Sequence, residues 1–340
     1  MSSILTLEKR MAAFEKIGLY MRNPDENLTA LMNSAQYYNA WFTPTQTGSA
    51  VESIGKTLNR SALERWLADV REVDEPKKVG LILAGNIPLV GFHDVLSVLA
   101  SGHIAYIKLS SQDEKLIPHI LNRLIENEPA FAEKVIYTER LKDIDAVIAT
   151  GSNNSSRYFE FYFSKVPHII RKNRNSVAVL TRDETIEDFE NLGKDIFDFF
   201  GLGCRNVSKL FVPEGYNFNQ FFEAIEKYSF VSEHYKYNNN YDYNKSIYLV
   251  NREEHLDNGF LLLKRDERLA SPLAVIFHEE YKEKEALEMK LTEAGEQLQC
   301  VVSKTSLNIP SQIVNFGESQ QPDLWDYADG VDTLKFLQNL

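Results

Sequence analysis

Apolar positions along the chain change period several times, and each change marks an element. Ile4, Leu7, Met11, Phe14 and Ile17 recur at helical spacing among charges, and the first 75 residues continue in that helical, polar style with stops expected at Gly48 and Pro76. An alternation follows. The short apolar run "KVGLILAG" (78–85) closes on Gly, "GFHDVLSVLASG" (91–102) has helical spacing, and "IAYIKLS" (104–110) is β-branched and apolar. The same reading gives a helix in "DEKLIPHILNRLIENEP", strands in "KVIYTER" (134–140) and "AVIATGS" (146–152), and a helix in "SSRYFEFYFSK". It then gives a strand in "SVAVLTR" (176–182) and a helix in "TIEDFENLGKDIFDFFG".

Strands alternating with helices of this length predict βαβ units, hence an α/β fold with a parallel sheet covered on both faces. Ligands of such sheets bind at the carboxyl ends of the strands. Here those ends read "AGNIP", "KLSSQD" and "ATGSNNS", all small and polar. After Cys204 the pattern restarts with "KLFVPEG", a helix in "FNQFFEAIEKY", strands in "SIYLVN" and "LAVIFHE", a helix in "KEKEALEMKLTEAGEQL" and a strand in "CVVSKT". That restart predicts a second α/β unit. The biased tract "YKYNNNYDYNK", between the helix "FNQFFEAIEKY" and the strand "SIYLVN", is expected to be an exposed turn. The pattern thus predicts an N-terminal helical segment and a first α/β unit over 1–200, with the second unit starting at residue 201.

Composition removes several function classes. With 49 acidic against 37 basic residues the net charge is −12, which argues against a nucleic-acid binder that must hold a phosphate backbone. No apolar run reaches the roughly 18 residues of a membrane span, and the first residues lack the apolar core of a signal peptide. Metal-ligand spacings such as CxxC or HExxH are absent, so no metal is expected. Two cysteines make no disulfide framework, which points to a reducing cytoplasm. Cys204, in the glycine-flanked "GLGC", is either a small core filler or a nucleophile. Cys300, at the start of an apolar strand, reads as packing.

Three blocks, in order and spacing, carry a resemblance: "ILAGNIPLVGFHDVLSVLASGHIAYIKLSSQD", "TGSNNSSRYFEFYFSKVPHIIRKNRNSVAVL" and "FFGLGCRNVSKLFVPEGYNFNQFF". They resemble the aldehyde dehydrogenase superfamily, and within it the acyl-CoA reductases of the LuxC-like type. The match is good over about residues 78 to 228 and weaker through "SPLAVIFHEEY" and "FGESQQPDLWDYADGVDTLKFL". The resemblance implies the aldehyde-dehydrogenase-like fold, with the dinucleotide-binding domain within 1–200, a smaller catalytic domain over 201–316 and a segment 317–340 returning to the first domain. It also implies Cys204 as nucleophile and Asn86 as side-chain donor to the oxyanion. An amide so placed contributes roughly 3–4 kcal/mol to the transition state.

By the same resemblance Lys108, Ser110 and Ser111 hold the cofactor's adenosine ribose, and Thr150, Gly151 and Ser152 form the turn facing the cofactor. Ser111 stands where NAD-preferring members commonly carry glutamate, leaving room for a 2′-phosphate that Lys108 attracts. NADPH is therefore favoured over NADH, although Asp113 and Glu114 lie close by in sequence. Arg171 takes the place of the glutamate that activates water in hydrolytic members. Without that base, water with its pKa near 15.7 is a poor nucleophile, whereas a thioester can still be reduced. Arg171, Lys172 and Arg174 form a basic cluster suited to coenzyme A or cofactor phosphates.

The expectation is an NADPH-dependent reduction of fatty acyl-CoA to aldehyde through a Cys204 thioester. Two neighbouring readings keep the chemistry, an acyl-phosphate reductase and a CoA-acylating aldehyde dehydrogenase. A third is a binding protein that keeps the fold without turnover. Assembly of identical subunits stays open.

Overall fold

The computed structural model describes residues 5–340, so Ile4 lies outside the described residues. The chain forms two compact units, one made of 1–173 with 323–340 and one of 174–322.

The first unit opens with four helices, α1 (Leu7–Arg22), α2 (Glu26–Ser34), α3 (Pro44–Thr57) and α4 (Arg60–Trp66). Side chains of Thr6, Asp25, Thr43 and Asn59 cap their amino ends, each accepting from a backbone N–H of the first turn. Gly48, expected as a stop, sits inside α3 on a side where an added Cβ would meet nothing within 4 Å. Helix propensity alone therefore does not end the helix there. Next come β1 (Lys78–Ile82), α5 (Phe92–Ala100), β2 (Ile104–Lys108), α6 (Leu116–Asn127), β3 (Val135–Tyr137), β4 (Ala146–Thr150), α7 (Asn153–Phe163) and β5 (His168–Arg171). The five strands are parallel, in the order β3-β2-β1-β4-β5. Val79 and Leu81 of β1, Ala105 and Ile107 of β2, and Ile148 of β4 are buried with Phe14 and Ile17 of α1 and Ile120 and Leu124 of α6.

The second unit contains β6 (Asn175–Val179), α8 (Ile186–Phe197), β7 (Val207–Pro213), α9 (Asn219–Ile225), α10 (Tyr235–Asn251), β8 (Leu256–Asp257), β9 (Leu262–Arg265), β10 (Val275–Tyr281), α11 (Lys284–Glu293), β11 (Leu298–Val302) and β12 (Ile313–Val314). Its sheet runs β12-β11-β6-β7-β10-β9-β8 and is mixed, because β8 is antiparallel to β9. The last helix, α12 (Thr333–Gln338), belongs to the first unit.

Several expectations are corrected. The division falls after Asn173 rather than after residue 200, because β6 pairs with β7 and β11 and takes α8 with it. The tract "YKYNNNYDYNK" is not a turn and "SIYLVN" is not a strand: together they are α10. Tyr237, Tyr241, Asn244 and Tyr248 recur every three or four residues on its buried side. Asn244 Nδ2 donates to Leu273 O at 2.9 Å and Tyr241 Oη to Asp257 Oδ1 at 2.6 Å, which satisfies the polar atoms that this packing takes out of water. The strand expected over 134–140 shrinks to β3, and "HIIR" (168–171), outside the elements predicted from the sequence, is β5.

Candidate active site

In the first unit the strand order reverses between β1 and β4, the place where a doubly wound sheet opens a crevice at its carboxyl edge. The register sets Ile82 beside Lys108 on one side and beside Ala149 on the other. The segments carrying Asn86, Lys108–Ser111 and Thr150–Ser152 thus leave three adjacent strands at one edge. Asn86 is exposed in the bend after β1, Ser111 is exposed in the turn after β2, and Lys108, Ser110 and Thr150 are partly buried. Ser110 Oγ accepts from Gln112 N at 3.3 Å. Ser152 caps α7, accepting from Ser155 N at 3.3 Å. A Cβ on Gly151 would lie 2.8 Å from Phe159 Cε2 and 3.0 Å from Ser155 Cβ, so the close approach that needs glycine there is made by α7 itself.

The two loops on the β1 and β2 side interlock. A Cβ on Gly85 would lie 2.6 Å from Ser110 Oγ, and Asn39 Nδ2 reaches Gly85 O and Gln112 O at 3.4 and 3.5 Å. Asp113 is turned inward, buried, and accepts from the backbone of Leu89 and Leu116. Lys115, exposed at the start of α6, lies 3.4 Å from the centre of the Tyr38 ring.

Each member of the basic cluster has partners of its own. Arg171 is buried: its guanidinium bridges Asp94 through Nη2–Oδ1 at 2.7 Å and Nε–Oδ2 at 3.3 Å, and also donates to Ala328 O and Thr333 Oγ1. Lys172 is exposed and paired with Glu160 at 2.8 Å. Arg174, in the second unit, donates to Leu298 O at 3.0 Å. The expectation of a shared phosphate site on these three is corrected for Arg171, whose charge is spent on a buried carboxylate 77 residues away in sequence.

Cys204 belongs to the second unit, exposed in the turn that leads into β7. The backbone before it is unusual. Phe199 (φ 51°), Phe200 (φ 56°) and Gly201 (φ 79°) are consecutive left-handed residues, and the two phenylalanines each carry a cost of about 1–3 kcal/mol there. Asn206 over-determines the turn. Its Oδ1 accepts from Gly203 N at 2.8 Å, while its Nδ2 donates to Asp195 O and Asp198 O at 3.0 and 2.8 Å, stitching the end of α8 to the cysteine turn. Ser176 Oγ donates to Cys204 O at 3.0 Å and lies 3.2 Å from Cys300 Sγ.

Cys300 is buried in β11, and burial pushes its thiol pKa up, against a smaller opposing effect of Arg205. Of the two cysteines, Cys204 is open to solvent and Cys300 is desolvated. Burial also pushes the carboxyl of Asp195 up to about 6, although it accepts from Gly317 N and Ser319 N.

Sequence reasoning missed Asn206, Ser176, Asn39 and the inward role of Asp113. Asn206 carried a signal, an amide side chain two residues past the cysteine in a turn; Ser176, Asn39 and Asp113 each also reach a partner far off in the chain, Cys204, Gly85 and Leu89 respectively. Among the described residues no cluster of three or more His, Cys, Asp or Glu could hold a metal ion, and no helix is long and apolar enough to cross a membrane.

No family model and no curated protein matches the sequence. Solved structures do match the fold. Aldehyde dehydrogenase 21 from Physcomitrella patens, in complex with the reaction product succinate, aligns with a TM-score of 0.69 at 13% identity over 99% of this chain and 85% of its own. A Mycobacterium tuberculosis aldehyde dehydrogenase complexed with NAD+ gives 0.65 at 13% identity, over 91% and 78%. The succinic semialdehyde dehydrogenase of Streptococcus pyogenes, complexed with NADP+, gives 0.64 at 12%, over 91% and 81%. The chain has the aldehyde-dehydrogenase-like α/β fold.

Proposed function

We propose that the protein is an NADPH-dependent reductase of acyl-CoA thioesters, acting through an acyl-enzyme on Cys204. The observation that carries the reading is an exposed cysteine in a strained, over-determined turn at the head of β7, in a fold shared with aldehyde dehydrogenases.

Two of the similar structures hold NAD+ or NADP+, and the carboxyl edge of β1, β2 and β4 suits a dinucleotide here. Lys108 would attract a ribose 2′-phosphate, Ser111 leaves it room, and Asp113 turns its carboxyl away from that face toward two backbone amides. The backbone turn at Thr150–Ser152 would border the cofactor. When bound, the nicotinamide supplies the hydride.

The thiolate of Cys204 attacks the thioester carbonyl carbon, and the negative charge that develops on oxygen is held by the Asn86 amide and a backbone N–H near Cys204. The carbon–sulfur bond to coenzyme A breaks and coenzyme A departs as a thiolate. After reduction of the acyl group, the oxyanion collapses, the bond to Cys204 breaks and the aldehyde leaves. No step removes a proton from water. That accords with Arg171 standing at the place of a hydrolytic base and being committed to Asp94.

Intact mass after incubation with acyl-CoAs of graded chain length, without NADPH, tests the reading. Wild type and Cys300→Ser should gain one acyl group and Cys204→Ser none. An adduct that persists in Cys204→Ser overturns the nucleophile. Adducts from acyl phosphates alone would move the substrate to that class, and dinucleotide binding without any adduct would leave a binding protein.

A further inference from the structure

The turn that carries Asn86 is held from an unexpected direction. Asp113 lies in the next loop of the sheet edge with 3% of its surface exposed, and its carboxylate accepts from backbone amides. Oδ2 accepts from Leu89 N at 2.9 Å and Oδ1 from Leu116 N at 3.3 Å. Burial pushes its pKa up to about 6, and these two amides are what oppose that push. A carboxylate kept in such a place at a cost in solvation needs a reason.

Leu89 gives one. It is buried and left-handed at φ 59°, a conformation that a leucine adopts rarely. Its carbonyl accepts from Phe92 N at 2.9 Å at the start of α5. The residue three places after Asn86 is thus clamped at its N–H by Asp113 and at its C=O by α5. On the other side of Asn86, Gly85 has no room for a Cβ against Ser110 and Gln112.

We propose that Asp113 is a positioning residue for the oxyanion donor: it fixes the Asn86 turn and, through Leu116 and its own backbone N–H to Ser110 O at 3.0 Å, ties that turn to the segment bearing Lys108 and Ser111. The inference rests on the assignment of Asn86 above. It adds that the oxyanion side and the cofactor side of the crevice share one frame.

A double-mutant cycle on single-turnover acylation, read by quenched mass spectrometry without cofactor, separates positioning from general stability. Asp113→Ala should slow acylation about 10- to 100-fold in the wild-type background and less than about twofold in the Asn86→Ala background. Asp113→Asn, which keeps one acceptor oxygen, should recover part of the loss. It replaces Asp113→Ala in the cycle if circular dichroism shows that variant unfolded. The lowering of the thermal midpoint by Asp113→Ala should be the same in both backgrounds. Equal slowing by the Asp113 variants in both backgrounds, or none in either while Asn86→Ala is slow, would overturn the positioning role alone. Unchanged acylation in Asn86→Ala would overturn the oxyanion assignment and the proposal with it.

Discussion

Replacing Arg171 by methionine would leave the Asp94 carboxylate buried without its cation, and the structure sets the scale of the loss. The arginine side chain is 4% exposed and the aspartate 11%, and the guanidinium donates to Asp94, Ala328 O and Thr333 Oγ1 within the first unit. Removing one member of such a pair costs about 3–5 kcal/mol. Asp94 lies in the first turn of α5, where the helix dipole favours a negative charge, so the lower end, about 3 kcal/mol, is expected.

Trp41, Trp66 and Trp325 all belong to the first unit, so tryptophan fluorescence during a urea titration reports that unit by itself. With a slope of about 2 kcal/mol per molar urea, the midpoint should fall by about 1.5 M. Adding Asp94→Leu to Arg171→Met should recover more than half of that loss, because an apolar pair leaves no buried charge. Lys172→Met, which breaks an exposed pair, should move the midpoint by less than about 0.3 M. An Arg171→Met midpoint equal to wild type, together with a tenfold loss of NADPH or acyl-CoA affinity, would refute the reasoning and return Arg171 to a phosphate-binding role.

In the second unit, Gly193→Ala would place a Cβ 2.1 Å from Cε2 of Tyr228, whose ring stacks on Phe197 and whose hydroxyl donates to Glu190 O. The overpacking should outweigh the gain in helix propensity and cost about 2 kcal/mol net, visible by calorimetry. Ser111→Glu should shift the ratio of NADPH to NADH dissociation constants at least tenfold towards NADH, equivalent to about 1.4 kcal/mol, and equal effects on both cofactors would withdraw the assignment. Asp195, with its pKa raised by burial to about 6, holds its proton to higher pH when folded than when unfolded. Its contribution therefore weakens stability as pH rises from about 4 to 6 and stays lost above, by about 3 kcal/mol at most. The thermal midpoint of Asp195→Asn should gain on wild type across that window, and a pH-independent difference would contradict the burial argument.

The strands and helices of the sheet edge were legible because their apolar periods are strong and their ends small and polar. The helix α10 was not, because asparagine and tyrosine read as turn and strand residues by propensity. Its tyrosines nevertheless keep a helical period, and tertiary packing decided the matter. The unit boundary was misplaced for a different reason: the apolar run "SVAVL" predicts a strand but cannot say which sheet it joins. Arg171 was misread because the residue that neutralises it, Asp94, is distant in sequence while Lys172 and Arg174 are near. Cys204 stood out by its glycines, whereas the left-handed Phe199 and Phe200 that precede it carry no composition signal at all.

The return of residues 323–340 to the first unit sets the order in which the protein can be completed during synthesis. Leu334 and Leu337 of α12 are buried in the first unit's core. Trp66 donates to Tyr327 Oη, His93 to Leu324 O and His103 to Leu337 O, each at 2.9 Å. A ribosome adding about 5–20 residues per second needs roughly 8–30 s to make the intervening second unit. For that time the first sheet has emerged with this part of its core uncovered, while the second unit, continuous in sequence, can close as soon as it leaves the tunnel. The nascent first unit is thus the part that a chaperone would have reason to hold.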